Sequence, residues 1–102
     1  MREYADVSIW VDDVRPKPED YGIWTRSVNE TIAIIEIIEK NNGTIELIDL
    51  DHDLGEYAYD GGDAIRILDY LVEHEKFYRI AFHTATPVGR ANMERIIKRF
   101  WP

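Results

Sequence analysis

The chain contains no cysteine. That absence excludes disulfides, thiolate metal sites and thiol nucleophiles, so any chemistry rests on carboxylates, imidazoles, hydroxyls and bound ions. Long apolar runs are missing as well: nothing approaches the roughly 20 residues that span a bilayer, and Met1-Arg2-Glu3-Tyr4-Ala5-Asp6 lacks the apolar core of a signal peptide. A cytoplasmic location without membrane contact is the expectation. Basic charge is scarce. Lysine and arginine total 12 against 20 acidic residues, a formal net charge of −8, which opposes adhesion to nucleic-acid backbones and anionic membranes. No extended nucleic-acid surface is expected, and a nucleic-acid contact would be local, such as a terminal phosphate. The sequence sets no oligomeric state.

What is present is the composition of one folded domain over residues 1–102, with 45% hydrophobic and 31% charged residues and room for a single small core. Val7 to Val11 is β-branched and aromatic and runs into Asp12-Asp13, as a buried strand ending at a polar edge does. Beyond the loop of Pro16 and Pro18, Gly22 to Arg26 reads as a short second strand. Ser27 with Glu30 then makes a capping box for a helix carrying Val28, Ile32, Ile35 and Ile38, which Asn41-Asn42-Gly43 ends. Thr44 to Leu50 is a further strand, stopping at Asp51-His52-Asp53-Leu54-Gly55. Asp60-Gly61-Gly62 turns the chain into a helix with Ile65, Leu68, Leu71 and Val72. Phe77 to Phe82 reads as the last strand. Thr86 as cap and Pro87 at the first helical position open a final helix striped with Met93, Ile96, Ile97 and Phe100.

Strands alternating with amphipathic helices imply an α/β fold with a mainly parallel sheet of about four strands, right-handed crossovers and three helices on its faces. Ligands of such sheets bind outside the carboxyl ends of the strands. Attention therefore falls on Asp12-Asp13, Asp51-His52-Asp53 and His83-Thr84. Gathered together, Asp12, Asp13 and Asp51 repel one another unless a cation neutralises them, and all-oxygen ligands suit magnesium, manganese or calcium rather than zinc. His52 and His83 at the same edge could act as acid and base or polarise a phosphate oxygen. Thr84, Thr86, Gly89, Arg90 and Asn92 surround the start of the last helix, where free backbone N–H groups favour an anion. His74, between Glu73 and Glu75, is surface, the acidic helix residues read as solvated face, and Trp24, Tyr57 and Trp101 read as core or lid packing.

The pattern of Asp12-Asp13, Leu50-Asp51, Asp60-Gly61 and Thr84-Ala85 resembles the response-regulator receiver domain, a flavodoxin-like three-layer sandwich. That resemblance implies magnesium on Asp12, Asp13 and Asp51, a phosphoryl group on Asp51, and a contact from Thr84. The final strand and its phosphate-contacting lysine do not follow Thr84, and two histidines foreign to ordinary receivers are present. A nearer resemblance is to the cyclic-phosphate processing receiver domain, in Val11-Asp12-Asp13-Val14-Arg15-Pro16, in Leu50-Asp51-His52-Asp53-Leu54-Gly55, and in the run from His83 to Met93. Thr84 stands where that family usually has serine, and Thr86 where it has asparagine.

The nearer resemblance implies handling of a cyclic or terminal phosphate in an RNA-repair setting. Together these readings give an expected metal-assisted phosphoesterase acting on a nucleotide or RNA end, with magnesium or manganese on Asp12, Asp13 and Asp51. His52 and His83 would exchange protons, Asp53 would orient a histidine or join the metal shell, and Arg90 with the helix start would clamp the phosphate. The alternative is a non-catalytic receiver-derived module that binds a phosphorylated ligand or protein partner. A third possibility retains ordinary receiver chemistry on Asp51.

Overall fold

The computed structural model describes residues 4–102. Its elements are β1 (Val7–Val11), β2 (Ile23–Thr25), α1 (Val28–Lys40), β3 (Ile45–Leu50), a 3-10 helix (Gly55–Tyr59), α2 (Ile65–Glu73), β4 (Ile80–Phe82) and α3 (Pro87–Phe100). The four strands form one sheet in the order β2-β1-β3-β4, and each pairing is parallel. The expected α/β receiver-like class holds, with four parallel strands and three helices. Among the described residues no helix is long and apolar enough to cross a membrane.

Side chains alternate across a strand, and the alternation sorts the sheet into two unlike faces. Ile9 and Val11 of β1 and Ile48 and Leu50 of β3 are fully buried in one cluster with Val28, Ile35 and Ile38 of α1, Ile67, Leu68 and Leu71 of α2, and Met93 of α3. Burying each such side chain contributes about 1.5–3 kcal/mol. Ser8, Trp10, Leu47 and Asp49 point to the other face and stand outside that cluster. The connections β2-α1-β3 and β3-α2-β4 both step across the sheet in the same direction, and right-handed crossovers of one direction place their helices on one face. α3 packs beside α2.

Residues of all three helices therefore pack against the Ile9, Val11, Ile48 and Leu50 face of the sheet. Between β1 and β2, Pro16 and Pro18 sit in a segment that forms no helix. Tyr21 of that segment turns back over the second face, edge-on to Trp10 with ring centroids 5.2 Å apart.

Local signals account for the element ends. Ser27 Oγ accepts the Glu30 N–H at 3.1 Å, while the Glu30 carboxylate accepts from Arg26 N at 2.7 Å, one residue before the partner of an ideal capping box. Asn42 at φ 59° ends α1, and Gly61 and Gly62 at φ 110° and 98° turn the chain toward α2. At α3, Pro87 occupies the first turn, but Thr86 makes no side-chain cap. Thr84 Oγ1 accepts the Thr86 N–H at 3.2 Å instead. β4 is shorter than the expected Phe77–Phe82, because Phe77 packs edge-on against Trp101 at 5.2 Å and the Trp101 indole donates to the Tyr78 carbonyl at 2.8 Å.

Candidate metal and phosphate site at the carboxyl edge

The parallel ladder continues one residue past three strands. Asp12 N donates to Thr25 O, Asp51 N to Val11 O and His83 N to Leu50 O, each at 3.0 Å. Asp12, Asp51 and His83 are thereby held in register at the carboxyl edge, and each offers a ligand atom within 4.8 Å of the other two.

Asp12 is fully buried. Its Oδ1 accepts the N–H groups of Val14 and Arg15 at 2.9 and 2.8 Å, and its Oδ2 lies 2.9 Å from His83 Nε2. The other imidazole nitrogen, Nδ1, lies 2.8 Å from Asp49 Oδ1, and Asp49 Oδ2 accepts the Tyr21 hydroxyl at 2.5 Å. The His83 ring is stacked on Trp10 with centroids 3.6 Å apart and planes 8° from parallel. With a carboxylate opposite each nitrogen, both contacts are satisfied when His83 is protonated and donates both ways.

Ionisation follows from these contacts. Burial opposes the Asp12 charge, but the N–H groups of Arg15 and Val14 together with His83 outweigh it and hold its pKa below the ordinary value. Burial also opposes the His83 charge, yet hydrogen bonds to Asp49 and Asp12 carry its pKa above the usual imidazole range. For Asp13, burial and the charges of Asp12 and Asp51 act together, and its pKa is raised. The hydrogen bond to Asp49, helped by burial, pushes Tyr21 up to about 12.

The remaining expected site residues are distributed around this core. Asp13 packs against Gly55, which sits at φ 53° and whose Cβ, if present, would overlap the Asp13 carboxylate. His52 lies flat on Gly89 in the first turn of α3, again where a Cβ would stand. No described residue hydrogen-bonds the His52 ring, and no side-chain nitrogen or oxygen is both buried and unpartnered, so its nitrogens are open to solvent. Asp53 is exposed and accepts the Gly55 N–H at 2.8 Å, a local turn. Asn92 Oδ1 accepts from Arg95 at 3.4 Å. Arg90 is not directed at the carboxylates: its Nε pairs with Glu94 at 2.8 Å, and it lines a groove with Ile80, Phe82, Ile97 and Lys98 along β4.

Sequence reasoning passed over Asp49, Tyr21 and Trp10, which hold His83. Asp49 carried a usable signal, an acid set between two apolar residues, Ile48 and Leu50, in the buried second half of β3. Tyr21 and Trp10 carried none, since their meeting depends on how the loop folds back.

The donor set fits a hard divalent cation. Two carboxylates on adjacent strand ends suit metal–oxygen bonds of about 2.0–2.6 Å, and Asp13, whose pKa is raised first by burial and then by the charges of Asp12 and Asp51, adds a third acid at the same edge.

A parallel sheet whose carboxyl edge gathers acidic residues after β1 and β3 defines a receiver-type α/β domain. The chain belongs to the cyclic-phosphate processing receiver domain family, whose model matches residues 7–99. No curated protein matches the chain, and no solved structure does.

Proposed function

We propose that this domain is a metal-assisted phosphoesterase acting on a cyclic or terminal phosphate of a nucleotide or RNA end. The observation that carries the reading is the approach of Asp12 and Asp51 carboxylate oxygens within 4.8 Å of each other at the strand ends, beside an Asp13 whose charge is disfavoured by burial and by those two acids. Asp12, Asp13 and Asp51 hold magnesium or manganese, which when bound shields phosphate charge and lowers the pKa of a bound water.

His83, tied at both nitrogens, fixes Asp12 rather than exchanging protons with substrate. His52, with open nitrogens beside Asp51, is the acid–base group. For a cyclic phosphate, a water oxygen bonds to phosphorus, one ring ester bond breaks, and the leaving alkoxide takes up the proton. Thr84, Thr86, Gly89 and Asn92 border the N–H groups at the start of α3 that face the phosphate. Arg90 joins them by releasing Glu94, an exposed i,i+4 pair whose loss costs about 0.3–0.5 kcal/mol. Asp53 shapes the turn that carries His52.

A non-catalytic binding module is the second reading, favoured by the double tether that removes His83 from proton transfer. Phosphorus NMR of a 2′,3′-cyclic nucleotide with magnesium or manganese separates the two. Continuous ring opening supports the esterase, and saturable binding without turnover supports the module. Labelling of Asp51 by acetyl phosphate would restore ordinary receiver chemistry.

A further inference from the structure

Arg26 stands at the end of β2, next to Asp12 at the end of β1, since Val11 pairs with Thr25 and Asp12 N donates to Thr25 O. Its guanidinium carbon lies 4.3 Å from the Trp24 ring centroid and 5.8 Å from that of Tyr57, and its Nη1 donates to the Tyr57 hydroxyl at 3.2 Å. The Trp24 indole is anchored in turn, donating to the Asp12 carbonyl at 2.7 Å. Tyr57 belongs to the 3-10 helix whose first residue, Gly55, receives Asp13.

In a chain of net charge −8, Arg26 is half-buried, yet no described carboxylate lies within ion-pair distance of its guanidinium. Its partners are two aromatic rings. A planar cation layered on an indole, with a phenol alongside, offers stacking surface and unspent N–H donors to a flat, hydrogen-bond-accepting ring.

We infer that Trp24, Arg26 and Tyr57 form a nucleobase platform, so that the phosphate handled at the carboxyl edge belongs to a nucleoside rather than to a small polyol. This rests on the phosphate-processing reading of the same edge. The base continues the Trp24–Arg26 stack, while its cyclic phosphate reaches the neighbouring Asp12 and Asp13 side.

Calorimetric titration with magnesium tests this with two ligands sharing the five-membered phosphate ring, a 2′,3′-cyclic nucleoside monophosphate and glycerol 1,2-cyclic phosphate. The parent is expected to bind the nucleotide at least tenfold more tightly, as base–aromatic stacking predicts. That ratio should collapse toward one in Arg26→Ala and Tyr57→Ala. Trp24→Phe, which keeps a ring but loses the bond to Asp12, should retain most of it. Equal affinities in the parent overturn the platform while leaving the phosphate site standing. Loss of both ligands alike in Arg26→Ala also overturns it, by assigning Arg26 to the phosphate. A parent that binds neither ligand removes the phosphate reading itself, and the platform with it.

Discussion

Two polar clusters occupy opposite ends of the same sheet, and they are built on opposite accounts of charge. At the amino end, where α1 finishes and β4 is about to begin, Lys76 Nζ donates to Glu39 at 2.6 Å and to the Tyr70 hydroxyl at 2.9 Å. The Tyr78 hydroxyl closes the group on the other Glu39 oxygen. One carboxylate meets one ammonium, and hydroxyls take up what remains. At the carboxyl end His83 lies between Asp12 and Asp49, Asp13 and Asp51 stand beside them with no salt bridge among the described residues, and burial and neighbouring acids already raise Asp13. The balanced cluster ties α1 and α2 to the segment entering β4. The unbalanced one is organised for a positive group from outside.

The sharpest way to break this contrast is through the histidines. On the proposed chemistry, His52→Ala lowers turnover of a cyclic nucleotide roughly a hundredfold to ten-thousandfold, the range of a general acid or base, with a much smaller change in ligand affinity. Steady-state kinetics on a folded variant check this, and an unchanged kcat returns His52 to a packing role against Gly89.

His83→Ala should instead act on stability, by about 3 kcal/mol in urea unfolding, because it strands the buried Asp12 and Asp49 carboxylates. The pair also sets a pH window. Asp12, depressed when folded, stabilises above its ordinary 3.8 and loses that contribution as pH falls through its lowered pKa. His83, raised when folded, stabilises fully below its ordinary 6.5 and loses that contribution as pH climbs through its elevated pKa. Their joint contribution is complete between those values, and removing His83 should lower that plateau and abolish the decline above pH 6.5.

Magnesium sharpens the comparison from the other side. At a hundred times its dissociation constant it should stabilise the protein by about 2.7 kcal/mol, and Asp51→Asn should abolish most of the gain. Glu39→Gln should leave the gain intact while lowering baseline stability by about 1.5 kcal/mol. Thermal melts with and without the ion measure both, and no shift in the parent argues against the cation reading.

The smallest expected effect has the opposite sign. Without metal, Asp13→Asn should stabilise the protein by roughly 0.5–1 kcal/mol at neutral pH, the scale of a partly exposed charge contact. An acid whose pKa is raised on folding costs stability once pH exceeds its ordinary 3.8. The gain should therefore vanish near pH 3.

Much of the fold was legible because local rules decided it. β1 occupies the five residues read from their β-branched run, and Ser27 starts α1 as its spacing to Glu30 implies. The return of Tyr21 over the second face was not legible, since it depends on how the loop after β1 folds back. Of the site, residues directly after strands were readable from position alone. Asp49 was obscured by standing inside β3, and the pairing of Arg90 with Glu94, which helical spacing puts within its reach, went unread. Arg26 carried no signal beyond its place at the end of β2, because its aromatic partners are set by the tertiary fold.

The common direction of the strands has one more consequence. β3 contains six residues, so at about 3.3 Å per residue the two ends of the sheet stand about 20 Å apart. That exceeds twice the screening distance of about 8 Å in physiological salt. Charge exchanged at one end is therefore nearly invisible at the other, and substitutions in the two clusters should add independently in a double-mutant cycle. A change in the Glu39–Lys76 cluster can therefore alter stability while leaving the ligand edge untouched.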